Sequence, residues 1–138
     1  MGEKKRILVI DDEAMIRDMI SAILTDAGYQ VIVAANGAEG LEALESQAVD
    51  LIMTDILMPE KEGIETIIEV RKTRPGMKIM AISGGGRVHN FDPLSIAGKI
   101  GADATLAKPF EPEQLLAAVE NAIAGTRGIG PVAKRVTQ

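Results

Sequence analysis

Apolar residues in this chain fall into two rhythms that alternate along its length. Four short runs are almost continuously apolar: Ile7, Leu8, Val9, Ile10; then Leu51, Ile52, Met53, Thr54; then Ile79, Met80, Ala81, Ile82; and Ala104, Thr105, Leu106, Ala107. Residues 31–34 add a fifth. Runs this short and this free of polar alternation predict strands covered on both faces. Between them the spacing becomes helical. Ile16, Met19, Ile20, Ile23, Leu24 and Ala27 make one stripe, with Gly28 placed to cap its end. Asn36 is a good N-cap for a short helix carrying Leu41 and Leu44. Ile64, Ile67 and Ile68 mark a third helix, stopped by Pro75. Asp92-Pro93 has the opening signature of a fourth, with Ile96, Ala97 and Ile100, ending near Gly101. The fifth begins around Pro112, presents Leu115, Leu116, Val119 and Ile123, and stops at Gly125.

Five strands alternating with five helices predict right-handed crossovers and an α/β fold. Its core is one five-stranded parallel sheet, doubly wound, with helices on both faces. The chain has 138 residues, enough for one domain over 1–124 with a full core. Residues 125–138 differ in kind: three glycines, one proline and the bases Arg127, Lys134 and Arg135 without an acid predict a flexible basic tail. The tail's +3 within a net charge of −5 leaves −8 on residues 1–124, which argues against a nucleic-acid-binding surface. With no cysteine, thiolate catalysis, disulfides and cysteine metal sites are excluded. No run approaches the ~18 apolar residues of a membrane span. The basic N-terminus leads straight into a strand pattern too short for a secretory signal, and Arg6 stands where a myristoylation signal needs Ser or Thr. These features predict a cytoplasmic protein that binds neither membrane nor nucleic acid.

The chemistry collects at the strand ends. The first run ends at Asp11 and Asp12, the second at Asp55, the third at Ser83 and the fourth at Lys108. If the strands are parallel, these ends share the edge where open α/β sheets bind ligands. One acid at a strand-to-helix turn is most often an N-cap, and Asp12 before Glu13-Ala14-Met15 suits that role. Two adjacent acids with a third nearby exceed what capping needs. Three close carboxylates repel unless a cation offsets them, and Mg²⁺ does so through hard oxygen ligands while bridging to phosphate. Phosphoryl transfer then needs little beyond in-line positioning and charge neutralisation. In that scheme Asp55 is the nucleophile, Mg²⁺ neutralises one side of the phosphoryl group, Lys108 the other, and Ser83 donates a hydrogen bond. Taken singly, Ser83-Gly84 reads as a turn and Lys108 as a solvated lysine; Pro109 after Lys108 fixes the backbone there.

The Asp11-Asp12 pair, Asp55 within Asp-Ile-Leu-Met-Pro-Glu-Lys-Glu-Gly, Ser83-Gly84 and Lys108-Pro109-Phe110 closely resemble the receiver domain of two-component response regulators, from residue 6 to about 124. The resemblance implies a flavodoxin-like fold and favours a stand-alone regulator, since the 14 residues of the tail cannot form an output domain; the alternative is a piece of a longer regulator with Gly125 onward as linker. It implies Asp55 as phosphoacceptor, Asp12 as direct metal ligand, Asp11 as second acid, and the Leu57 backbone carbonyl as a further ligand. Mg²⁺ is the implied cofactor, with Mn²⁺ able to substitute. Ser83 and Lys108 match the switch hydroxyl and the phosphate-sensing lysine. Met58, Pro59, Gly63 and Pro109 match residues that shape the site. Leu57 and Gly85 stand where the family tunes phosphoryl lifetime; neither offers an acid or amide to position water, which implies slow self-dephosphorylation. The implied partners are a sensor histidine kinase or a histidine phosphotransfer protein, and a downstream effector read by the face of the fourth helix, fifth strand and fifth helix. The implied role is a signalling module, an enzyme only toward its own aspartyl phosphate.

Thr105 departs from the pattern, since the family often carries an aromatic switch residue there; transmission then rests on backbone and loop rearrangement. The run Gly84-Gly85-Gly86-Arg87 fits neither common phosphate-loop motif and predicts a loop that orders on phosphorylation, with Arg87 facing the phosphoryl group or a partner. His89, the only histidine, is an ordinary loop residue rather than a phosphotransfer histidine. Other readings fit less well. Phosphohydrolases with an aspartyl-phosphate intermediate typically need a second acid where Leu57 stands, and they need room for a substrate cap. A flavin or nucleotide domain would need a phosphate-cradling loop where Asp11 and Asp12 repel phosphate. A phosphate-independent, receiver-like interaction module would have no need of all five site residues.

Overall fold

The continuous apolar runs become strands, and the runs with helical spacing become helices. The structure, a computed structural model, describes residues 4–56, 62–83 and 98–125. Its strands are β1 (Arg6–Ile10), β2 (Gln30–Ala34), β3 (Leu51–Asp55), β4 (Ile79–Ser83) and β5 (Ala104–Ala107). Its helices are α1 (Ala14–Asp26), α2 (Gly37–Ser46), α3 (Glu62–Thr73), α4, described over 98–100, and α5 (Pro112–Ile123). The five strands form one sheet in the order β2-β1-β3-β4-β5, and every pairing is parallel. All the strand C-termini therefore lie on one edge, as the sequence predicts.

Alternation along the strands divides the core in two. Ile7, Val9, Leu51, Met53, Met80 and Ile82 pack on one face with Ile20 and Leu24 of α1 and Leu115 and Val119 of α5. Leu8, Ile10, Ile52, Ile79 and Ala81 pack on the other with Leu44 of α2, Ile67 and Val70 of α3, and Ile100 of α4. Each fully buried aliphatic side chain contributes about 1.5–3 kcal/mol. The central strands β3 and β4 are buried at all five positions, whereas the edge strands β2 and β5 are partly exposed.

The helix ends follow their cap residues in most places. The Asn36 side chain accepts the Glu39 N–H at 2.9 Å. Gly28 turns the chain out of α1 with a φ of 102°, a conformation that costs a side-chain-bearing residue energy. Two expectations need correction. The N-cap position of α1 is Glu13, not Asp12, and the carboxylate that accepts the Glu13 N–H is that of Asp11, at 2.9 Å. Met19 and Ala27, assigned to the buried stripe, are exposed. Met19 lies about 120° around the helix from the direction shared by Ile20 and Leu24, and Ala27 is the C-cap, beyond the helix proper. Among the described residues no helix is long and apolar enough to cross a membrane. Leu57, Met58, Pro59, the stretch 84–97 with Gly85, Arg87, His89 and the expected Asp92-Pro93 helix start, and the tail beyond Gly125 lie outside the described residues.

Candidate functional site

Period-two geometry decides which strand-end residues can meet. Asp11 continues the line of Ile7 and Val9, Asp55 that of Leu51 and Met53, and Lys108 that of Ala104 and Leu106, all on the α1/α5 face. Ser83 follows Ala81 and so belongs to the opposite face, fully buried at the end of β4. Pairing persists one residue past the strands. Asp11 N–H donates to the Ala34 carbonyl (3.2 Å), Ile56 N–H to the Ile82 carbonyl (3.0 Å) and Lys108 N–H to the Ser83 carbonyl (2.7 Å). The catalytic-type side chains thus stand on the rim of a rigid sheet.

At that rim Lys108 Nζ donates to Asp11 Oδ2 at 3.0 Å and to Asp55 Oδ2 at 3.1 Å, with Glu13 Oε1 at 3.9 Å. Asp11 is 1% exposed and Asp55 5%, while Asp12 is open to solvent. Burial by itself would lower the Lys108 pKa. The hydrogen bonds and charges of Asp11 and Asp55 outweigh it, and the ammonium is held above its ordinary value. Asp11, Asp12 and Asp55 each bring a carboxylate oxygen within 4.8 Å of the others. At that separation two such charges repel by about 3 kcal/mol at the effective dielectric of a surface crevice. Two buried acids and one exposed acid, all hard oxygen donors, fit a small divalent cation entering from the Asp12 side.

Loop geometry keeps the rim tight. Gly63, in the first turn of α3, lies so close to the end of β3 that a Cβ would run into the Asp55 carbonyl oxygen and the Ile56 Cα. Lys108 precedes Pro109 through a cis peptide bond. Thr105, two strand positions before Ala107, is half-buried on β5. The structure therefore brings Asp11, Asp12, Asp55 and Lys108 together and sets Ser83 at the adjoining strand end. One residue at the site went unremarked in the sequence: Arg17, whose Nη1 donates to the Asp11 carbonyl at 2.7 Å. An arginine one turn into the helix that follows an acid pair was the available signal.

Comparison with known proteins agrees with this geometry. Residues 7–120 match the model of the response regulator receiver domain family. The chain is 38% identical to the chemotaxis protein CheY of Thermotoga maritima over 117 residues, covering 83% of this chain and 94% of that one. It is 31% identical over 118 residues to the transcriptional regulatory protein GlrR of Escherichia coli, covering 85% of this chain but only 26% of that one. Among solved structures, a CheY-like receiver domain protein from Methanospirillum hungatei superposes with a TM-score of 0.78 at 36% identity, covering 88% of this chain and 95% of that one.

Proposed function

The chain belongs to the response regulator receiver domain family, and on that premise we propose that its phosphoacceptor is Asp55 and its donor a phosphohistidine. The observation that carries this reading is the Lys108 ammonium bridging Asp11 and Asp55 at 3.0 and 3.1 Å, inside a cluster that also holds Asp12. An Asp55 carboxylate oxygen attacks the phosphorus in line with the bond to the imidazole. The new P–O bond forms as the P–N bond breaks, and the imidazole nitrogen keeps the electron pair. Lys108 transfers its hydrogen bond from Asp55 to a phosphoryl oxygen while remaining paired to Asp11. Ser83, buried on the opposite face of the adjoining strand end, supplies a hydroxyl to the same group once the end of β4 rearranges. Asp11, Asp12, Asp55 and the Leu57 carbonyl would hold Mg²⁺ or Mn²⁺, which supplies charge neutralisation at the phosphoryl oxygens.

In this reading the donor is a sensor histidine kinase or a histidine phosphotransfer protein in the cytoplasm. Phosphorylation shifts the domain between two conformations, which an effector reads from the α4, β5 and α5 face. The domain is 1–124, and 125–138 is a basic extension. Thr105 in place of an aromatic leaves transmission to backbone and loop movement, and Leu57 and Gly85 give slow self-dephosphorylation. Intact-mass measurement after incubation with Mg²⁺ and acetyl phosphate, then with a phosphohistidine donor, tests the proposal. One Mg²⁺-dependent phosphoryl adduct on the parent and none on Asp55→Asn is the expected outcome. Folded parent protein that takes up phosphoryl from neither donor would point instead to a phosphate-independent interaction module.

A further inference from the structure

Asp12 is exposed, and among the described residues no side chain holds its carboxylate. Its direction is therefore set by the peptide that joins it to Asp11. That peptide's carbonyl is the one that accepts from Arg17 Nη1 at 2.7 Å. Arg17 is half-buried, its own N–H bonded to the Glu13 carbonyl at 3.0 Å, and its side chain runs back along α1 to the end of β1. The rest of Asp11 is also engaged: its N–H with Ala34, Oδ1 with the Glu13 N–H at 2.9 Å, and Oδ2 with Lys108. The arginine thus closes the last polar group of the residue that carries both acids' geometry.

We infer that Arg17 is a positioning residue for cation binding, acting by clamping the Asp11–Asp12 peptide so that the two carboxylates converge on one ion. The inference rests on the receiver reading of this site. It makes a prediction opposite to that of simple charge. A guanidinium beside a cation site repels the cation, so an arginine acting through charge alone would be a hindrance whose removal tightens binding. A clamp removed loosens binding.

Mg²⁺ titration by calorimetry of the parent, Arg17→Met and Arg17→Lys separates the two. Arg17→Met is expected to weaken Mg²⁺ binding roughly tenfold, the lower end of what losing an outer partner of a metal ligand costs. Arg17→Lys keeps a charged donor and should lie closer to the parent than to Arg17→Met. In the metal-free proteins the Asp12 amide, whose peptide carbonyl loses its donor, should move in the ¹H–¹⁵N spectrum of Arg17→Met and far less in Arg17→Lys. Unchanged or tighter Mg²⁺ binding by Arg17→Met overturns the inference, as does an unmoved Asp12 amide. A parent that binds no Mg²⁺ would overturn the cation reading of the site, and the Asp12 amide would then decide the clamp alone.

Discussion

Lys108 is the counter-charge that lets two buried carboxylates coexist before any cation arrives. Its Nζ reaches Asp11 and Asp55 at hydrogen-bond distance, and both are nearly inaccessible to water. Removing it leaves them facing each other without their shared cation, so Lys108→Met should destabilise the metal-free protein by about 1–3 kcal/mol in urea unfolding. Added Mg²⁺ should recover more stability in that variant than in the parent. The pH dependence has a definite sign. The folded pKa of Lys108 is raised above the 10.5 of an unperturbed lysine, so its stabilisation is fully present below that value. It is lost as pH rises through the folded value. Tyr29, raised from 10.0 by burial and by Glu120, adds in the same direction. Thermal melts taken upward from pH 9 should show a decline that is shallower in Lys108→Met, which lacks the lysine's contribution. The acids and Lys108 were legible in the sequence because each ends an apolar run. Arg17 was not, because one arginine in an amphipathic helix looks like any solvated arginine until its partner is seen to be a backbone carbonyl.

At the level of elements, strand parity does work that sequence spacing alone leaves open. The strand ends identify which residues share the edge, but only the core assignments show Asp11, Asp55 and Lys108 on the α1/α5 face with Ser83 on the other. Helix ends were readable where a dedicated residue sets them, as at Asn36, Gly28 and Pro112. The start of α1 lies one residue later than Asp12 suggests: Glu13 takes the N-cap position, and the buried Asp11 accepts its N–H. Met19 shares the helical spacing of α1 yet is exposed, because periodicity does not say how broad a face the sheet covers. Gly63 shows an element fixing the site. Its first-turn backbone touches the end of β3, so Gly63→Ala should cost about 1–3 kcal/mol by overpacking. It should also weaken Mg²⁺ binding, because the atom displaced is the carbonyl oxygen of Asp55 itself.

Over the whole molecule, charge is organised at opposite ends of the sheet. The acid cluster and Lys108 occupy the C-terminal edge. At the other edge Arg71 donates to the carbonyls of Pro75, Met77 and Gly101 and to Asp103 Oδ2 at 2.9 Å, and the same oxygen accepts the Ile79 N–H at 2.9 Å. This network joins the end of α3, the turn after α4 and the start of β4. Arg71→Met leaves Asp103 buried without its cation and should cost about 3 kcal/mol, the low end for a broken buried ion pair. Its rate of phosphorylation by acetyl phosphate should stay at the parent level, since the chemistry lies at the far edge. The central claim is that Asp55 accepts the phosphoryl group, and borohydride reduction of the phosphorylated protein followed by peptide sequencing tests it most directly. Reduction of an aspartyl phosphate leaves homoserine. Homoserine at position 55 alone is the result this account predicts; homoserine at Asp11 or Asp12, or a phosphoryl group that resists reduction, would contradict it.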